Sequence, residues 1–142
     1  MKTARQLLET KGNAVVSVAS NSNVYDALQL MAQREIGAVL VVDAERLVGI
    51  MSERDYARKV ILKGKSSQET TVREIMTERV VYARPEQTVA ECMALMTSKR
   101  VRHLPVMEGE RLVGVLSIGD LVKETISEQE FIIRQLENYI HG

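Results

Sequence analysis

Glu45-Arg46-Leu47-Val48-Gly49 reappears unchanged as Glu110-Arg111-Leu112-Val113-Gly114, 65 residues further on. The same offset carries Ser52 and Asp55 onto Ser117 and Asp120. Working outward without a gap, Val15-Val16 falls on Val80-Val81, Val24 on Val89 and Met31 on Met96. A self-match at constant offset marks a duplicated structural unit. Upstream the match continues at an offset of 68, with Thr3-Ala4-Arg5-Gln6-Leu7-Leu8 against Thr71-Val72-Arg73-Glu74-Ile75-Met76. The chain therefore divides into a first repeat over 1–64, a second over 65–126 and a tail over 127–142, one tandem module in all.

Each copy spells strand, helix, strand, strand, helix. Ala14 to Val18 is a short apolar run, stopped by Ser20-Asn21-Ser22-Asn23. Val24, Ala27, Leu28 and Met31 then recur at helical spacing, up to Gly37. Ala38–Val42 and Leu47–Met51 flank a polar turn and predict a hairpin, followed by a helix over 53–62. In the second copy the same grammar predicts a strand over 80–83 and a helix carrying Val89, Cys92, Met93 and Met96. A hairpin over 103–107 and 112–116 and a helix over 118–126 follow. Ser127 with Glu130 has the form of a capping box, which would start a separate tail helix bearing Phe131, Ile132, Leu136, Tyr139 and Ile140. The expected class is α/β (α+β): two βαββα units about a pseudo-twofold axis, with an extra C-terminal helix. Each half is near the lower size limit for a self-sufficient core, so a core shared by both halves is expected.

Composition narrows the function classes. Lysine plus arginine equals aspartate plus glutamate at 19 each, which gives no electrostatic footprint for nucleic acid or an anionic membrane. The single cysteine, Cys92, excludes an intramolecular disulfide and any CxxC metal pair, and it falls on an apolar helical stripe. No signal-peptide h-region and no membrane-length apolar run occurs, so a cytoplasmic setting is expected. With His103 and the terminal His141 as its only histidines, the chain has little material for a metal site or a Ser-His-Asp arrangement. No catalytic residue and no enzyme activity is expected.

The polar residues kept by the duplication are Ser52-Glu53-Arg54-Asp55 and Ser117-Ile118-Gly119-Asp120, each where a strand runs into a helix. Read structurally, each is a helix cap. Read functionally, the exposed N–H groups of the helix start suit a phosphate, and a carboxylate one turn in suits a pair of ribose hydroxyls. The copies differ at the next strand entry, where Gly37-Ala38 in the first becomes Arg102-His103 in the second. Arg54 partly offsets that difference, because Gly119 takes its place.

These residues resemble a stand-alone tandem CBS-domain protein, of the family named for cystathionine β-synthase. The resemblance rests on Val-Val before a turn and helix, on Arg102-His103-Leu104-Pro105-Val106, and on the two Leu-Val-Gly segments that end at Asp55 and Asp120. It covers nearly the whole chain. It implies a homodimer and adenosine ligands in clefts between repeats: AMP, ADP, ATP or NAD(H), with S-adenosylmethionine behind these. Asp55 and Asp120 would then bind ribose, while Ser52 and Ser117 contact ribose or phosphate. Val16, Gly37 and Ala38 would border the adenine near Asp120, and Thr77, Val81, Val101 and His103 the one near Asp55. Arg102, Arg54 and Lys11 would meet phosphate. The implied function is a regulatory module that senses energy or redox state and signals to a separate protein. The alternative is a constitutive dimeric scaffold in which both motifs are only caps.

Overall fold

The structure, a computed structural model, describes residues 2–141. Along the chain run α1 (Ala4–Lys11), β1 (Ser17–Val18), α2 (Val24–Arg34), β2 (Ala38–Asp43), β3 (Arg46–Ser52) and α3 (Glu53–Tyr56). The turns after α3 are π-helical over Ala57–Ile61. Next come α4 (Val72–Ile75), α5 (Val89–Lys99), β4 (His103–Glu108), β5 (Arg111–Ser117) and α6 (Ile118–His141). β1, β2 and β3 form one sheet in that order, and β4 pairs with β5 in another. The fold is therefore α+β with the expected repeat.

Several boundaries differ from expectation for local reasons. A strand exists only where a neighbour bonds it, and only Ser17 and Val18 run beside Leu40 and Val41. The counterpart at 80–83 is reduced to a single bridge between Ala83 and Val106. α2 ends on Glu35 rather than Gly37: Glu35 turns left-handed, at φ 55°, and sends its N–H back to Met31 and Ala32. Arg100 closes α5 in the same way, at φ 56°. In the β2–β3 turn Ala44 and Glu45 both have positive φ, as a two-residue hairpin loop requires. No cap forms at Ser127. With no glycine or proline after Gly119 to break the backbone ladder, α6 runs 24 residues without interruption.

The two flanks that match at an offset of 68 carry equivalent starts. Thr3 and Gln6 form a capping box on α1, and Thr71 and Glu74 form one on α4. Contacts divide the chain into two compact units that interleave along the sequence. One, the Asp55 unit, is Ala14–Val80 with Glu110–Leu112. The other, the Asp120 unit, is Val81–Gly109 with the chain up to Asn13 and from Val113 onward. Two cores replace the expected shared one. Val24, Met31, Val41 and Met51 meet Val72 and Ile75 of α4 in the first unit. Val89, Met96, Leu104 and Leu116 meet Ala4, Leu7 and Leu8 of α1 in the second. Each unit closes its own core because a short helix from outside its βαββ stretch covers the apolar sheet.

The glycines of the duplicated Leu-Val-Gly make those closures fit. A Cβ at Gly49 would lie 2.7 Å from Met76 Sδ and 3.0 Å from the Thr77 carbonyl oxygen. At Gly114 it would lie 2.7 Å from Leu8 Cδ2. The flanking segment crosses each strand where no side chain stands, and it carries Thr77 to one site and Lys11 to the other.

Candidate functional site

In the Asp55 unit, β3 delivers Ser52 as the N-cap of α3. Ser52 Oγ accepts from the Asp55 N–H at 3.1 Å, and Asp55 Oδ2 accepts from the Ser52 N–H at 3.0 Å. Thr77 donates its hydroxyl to Asp55 Oδ1 at 3.2 Å, while its backbone exchanges hydrogen bonds with Ile50. Lys59, one turn beyond Asp55, sits 3.3 Å from Oδ1 and donates to the Ile75 carbonyl at 2.8 Å. Asp55 is thereby bonded on both oxygens and buried, with 12% of its side chain exposed. Gly37 and Ala38 adjoin this junction: the Glu53 N–H donates to the Gly37 carbonyl, and Ala38 pairs with Ser52. Arg54 is exposed and Val16 packs on the unit's core.

The Asp120 unit repeats the cap and changes its surroundings. Ser117 Oγ accepts from the Asp120 N–H at 3.1 Å, and Asp120 Oδ2 accepts from the Ser117 N–H at 2.8 Å. The cation comes from a different element. Lys11, in the last turn of α1, lies 2.6 Å from Oδ2 and donates to the Val115 carbonyl at 2.7 Å. All the described hydrogen bonds to Asp120 fall on Oδ2. Burial alone pushes this carboxyl up, but the Lys11 and Ser117 bonds outweigh it and hold the group below the usual aspartate value. His103 is shifted the same way, and by burial itself. Burial, reinforced by Lys11, lowers its imidazole below the ordinary value, so it is neutral at pH 7. Arg102 is exposed, and its carbonyl accepts from the Ile118 N–H at the start of α6. Val81 and Val101 pack on the unit's core.

The structure thus brings Ser52, Asp55, Thr77, Gly37 and Ala38 together in one unit, and Ser117, Asp120, Lys11 and His103 in the other. Sequence reading missed Lys59. Its position four residues after Asp55 on a helix was the available signal. The equivalent position in the second copy is Glu124, which cannot serve, and Lys11 supplies the charge instead. An open cavity of ≈ 580 Å³, bordered by Leu28, Met31, Ile36, Gly37, Glu53 and Tyr56, adjoins the Asp55 junction through Gly37 and Glu53 but is lined by none of the duplicated serines or aspartates. Among the described residues no cluster of metal-ligating side chains occurs.

The family model for the CBS domain matches twice, over residues 10–62 and 72–127. The chain belongs to the CBS-domain family. A mitochondrial CBS-domain protein of Arabidopsis thaliana, CBSX3, is 37% identical over 99% of this chain and 72% of its own length. A CBS-domain protein from Burkholderia ambifaria, described as acting in signal transduction, is 52% identical with a TM-score of 0.85. That alignment covers 90% of this chain and 96% of the other. The CBS domain pair of protein MJ0100, solved with 5′-methylthioadenosine and S-adenosylmethionine, shares the fold at 23% identity and a TM-score of 0.78. It covers 90% of this chain and 98% of that one. No helix among the described residues is long and apolar enough to cross a membrane.

Proposed function

We propose that this CBS pair is a non-catalytic regulatory module of the cytoplasm that binds an adenosine-containing ligand. AMP, ADP, ATP and NAD(H) are the candidates, with S-adenosylmethionine behind them, although the MJ0100 pair takes adenosyl compounds of that last kind. The carrying observation is that a duplicated carboxylate caps its own helix beside a lysine at each strand-to-helix junction. Ribose hydroxyls would donate to Asp55 and Asp120, and Ser52 and Ser117 would meet ribose or phosphate. Lys11, Arg54 and Arg102 with neutral His103 supply the phosphate side. Val16, Gly37, Ala38, Thr77, Val81 and Val101 offer small or apolar borders for adenine. The Asp120 junction is the stronger site. Its Oδ1 accepts from no described residue, whereas Asp55 must first give up Thr77 or Lys59. The module acts as a homodimer, and occupancy shifts its conformation only by as much as ligand affinity differs between states. The signal then passes to a separate protein.

A thermal-shift panel with AMP, ATP, NADH and S-adenosylmethionine tests this reading. A ligand at 100 times its dissociation constant stabilises by about 2.7 kcal/mol. Calorimetry on Asp55→Ala and Asp120→Ala should show the larger binding loss in the second. If none of the four ligands moves the melting temperature, the sensor reading is wrong. A constitutive scaffold is then favoured, supported by the observation that both aspartates already cap their own helices.

A further inference from the structure

Only the first turns of α6 are packed. Leu121 is its one buried side chain, and every residue from 129 to 141 is exposed. Apart from Phe131, which is 60% exposed and stands off the stripe, the exposed large apolar residues of α6 are in register with one another. Val122, Ile126, Ile133, Leu136 and Ile140 follow alternating steps of four and three, with Gln129 filling the missing step. Ile132 and Tyr139 widen the stripe on one flank, and Lys123, Glu130 and Glu137 run down the other. Exposure rises from 40% at Val122 to 88% at Tyr139. Together the seven apolar side chains present on the order of 800 Å², which is what one partner contributes to an interface of standard size. A continuous apolar patch of that area is uncommon on a monomer.

We propose that this stripe is where a second copy of the chain docks, with the two α6 helices antiparallel. Charge selects both occupant and direction. A twofold axis near residue 131 sets Val122 against Ile140 of the second copy, and Ile126 against its Leu136. Lys123 then faces Glu137 of the second copy, twice by symmetry. In a parallel pair the charged flank would instead meet Ile118, Thr125 and Ile132, and no opposite charges would come together. Only Glu130 meets its own copy, and Arg134, 4.0 Å away on the same helix, offsets that repulsion. Gln129 falls opposite Ile133, a polar step that penalises other registers. The proposal rests on the homodimer reading and is independent of ligand binding.

Sedimentation of the full chain, of a chain ending at Ser127 and of Leu136→Glu provides the test. The full chain should be dimeric and the truncated chain monomeric. Leu136→Glu should weaken association by about 30-fold or more, as loss of a central anchor does. Leu136 is 58% exposed, so the variant should melt with the parent fold intact. A truncated chain that stays dimeric overturns this proposal alone, because the copies then meet elsewhere and the stripe serves another protein. A monomeric full chain overturns the homodimer reading with it, and leaves the ligand panel untouched. Direction is read with a short thiol cross-linker. Glu130→Cys should cross-link to its own copy and Ile140→Cys should not, against a parent whose only thiol, Cys92, is buried. The reverse pattern would refute the antiparallel arrangement.

Discussion

Asp55 and Asp120 occupy the same step of one duplicated motif, and each is held by its own cap serine and by a lysine. Around Asp55 the lysine is local, one turn along the same helix, and Thr77 closes the remaining side. Around Asp120 the lysine arrives on α1, more than a hundred residues away in sequence, and Oδ1 is left outside the described bonds. α1 has eight residues where α4 has four, and Lys11 lies on the added length. The difference shows how duplication can retain a capping motif while reassigning its supporting charge. One cap is closed on both carboxylate oxygens, and the described bonds of the other fall on a single oxygen.

The largest expected effect would break the comparison outright if it failed. Asp55→Ala removes the cap bond to Ser52, orphans the Thr77 hydroxyl and leaves Lys59 unpaired, and should cost about 2–3 kcal/mol in chemical denaturation. Asp120→Ala should cost about 1 kcal/mol, since its carboxylate and Lys11 are 28% and 38% exposed and solvent screens the pair. Equal losses would mean that the two junctions are not structurally distinct.

The glycine pair gives a smaller and sharper contrast. Gly49→Ala would press on the Thr77 backbone as well as on Met76, and backbone yields less than a side-chain end. It should cost about 1–2 kcal/mol, with Gly114→Ala costing less because only Leu8 must shift. Leu8→Ala in the Gly114→Ala background should recover part of that loss. Additive effects in the double mutant would show that Leu8 and Gly114 do not press on each other.

The smallest effect is electrostatic and belongs to one site. Asp120 is depressed in the folded state, so its contribution is fully present above the unfolded aspartate value and is lost as pH falls through the folded one. His103 is also depressed. Below the ordinary histidine value the unfolded chain takes up that proton more readily, and stability therefore declines on acidification. Lys11→Met should move both groups upward and flatten the acid limb of the stability profile. NMR titration of the two side chains reads this directly. An unmoved Asp120 would remove Lys11 from the site, and Lys59→Met should leave both groups unchanged.

Much of the site was legible because the duplication preserved it locally. Ser-x-x-Asp is a cap whose geometry closes within four residues, and both junctions form as the repeat predicts. Thr77 and Lys11 were legible through family resemblance alone, and in the structure both touch a carboxylate. Lys11, expected at phosphate, bonds Asp120 in the structure. Lys59 went unread, although its spacing was visible. The unbroken α6 went unread because a Ser-x-x-Glu pattern inside a helix is indistinguishable in sequence from one that starts it.

By itself, the amino-acid sequence determined that there are two βαββα units, where their hairpins lie and which serines and aspartates face the strand ends. Those features depend on periodicity and on contacts a few residues apart. Only the tertiary structure decided that the halves keep separate cores, that α1 closes the second copy and α4 the first, and which lysine serves each aspartate. Such choices depend on packing between segments distant in the chain, where a glycine-sized gap on a strand selects the helix that crosses it.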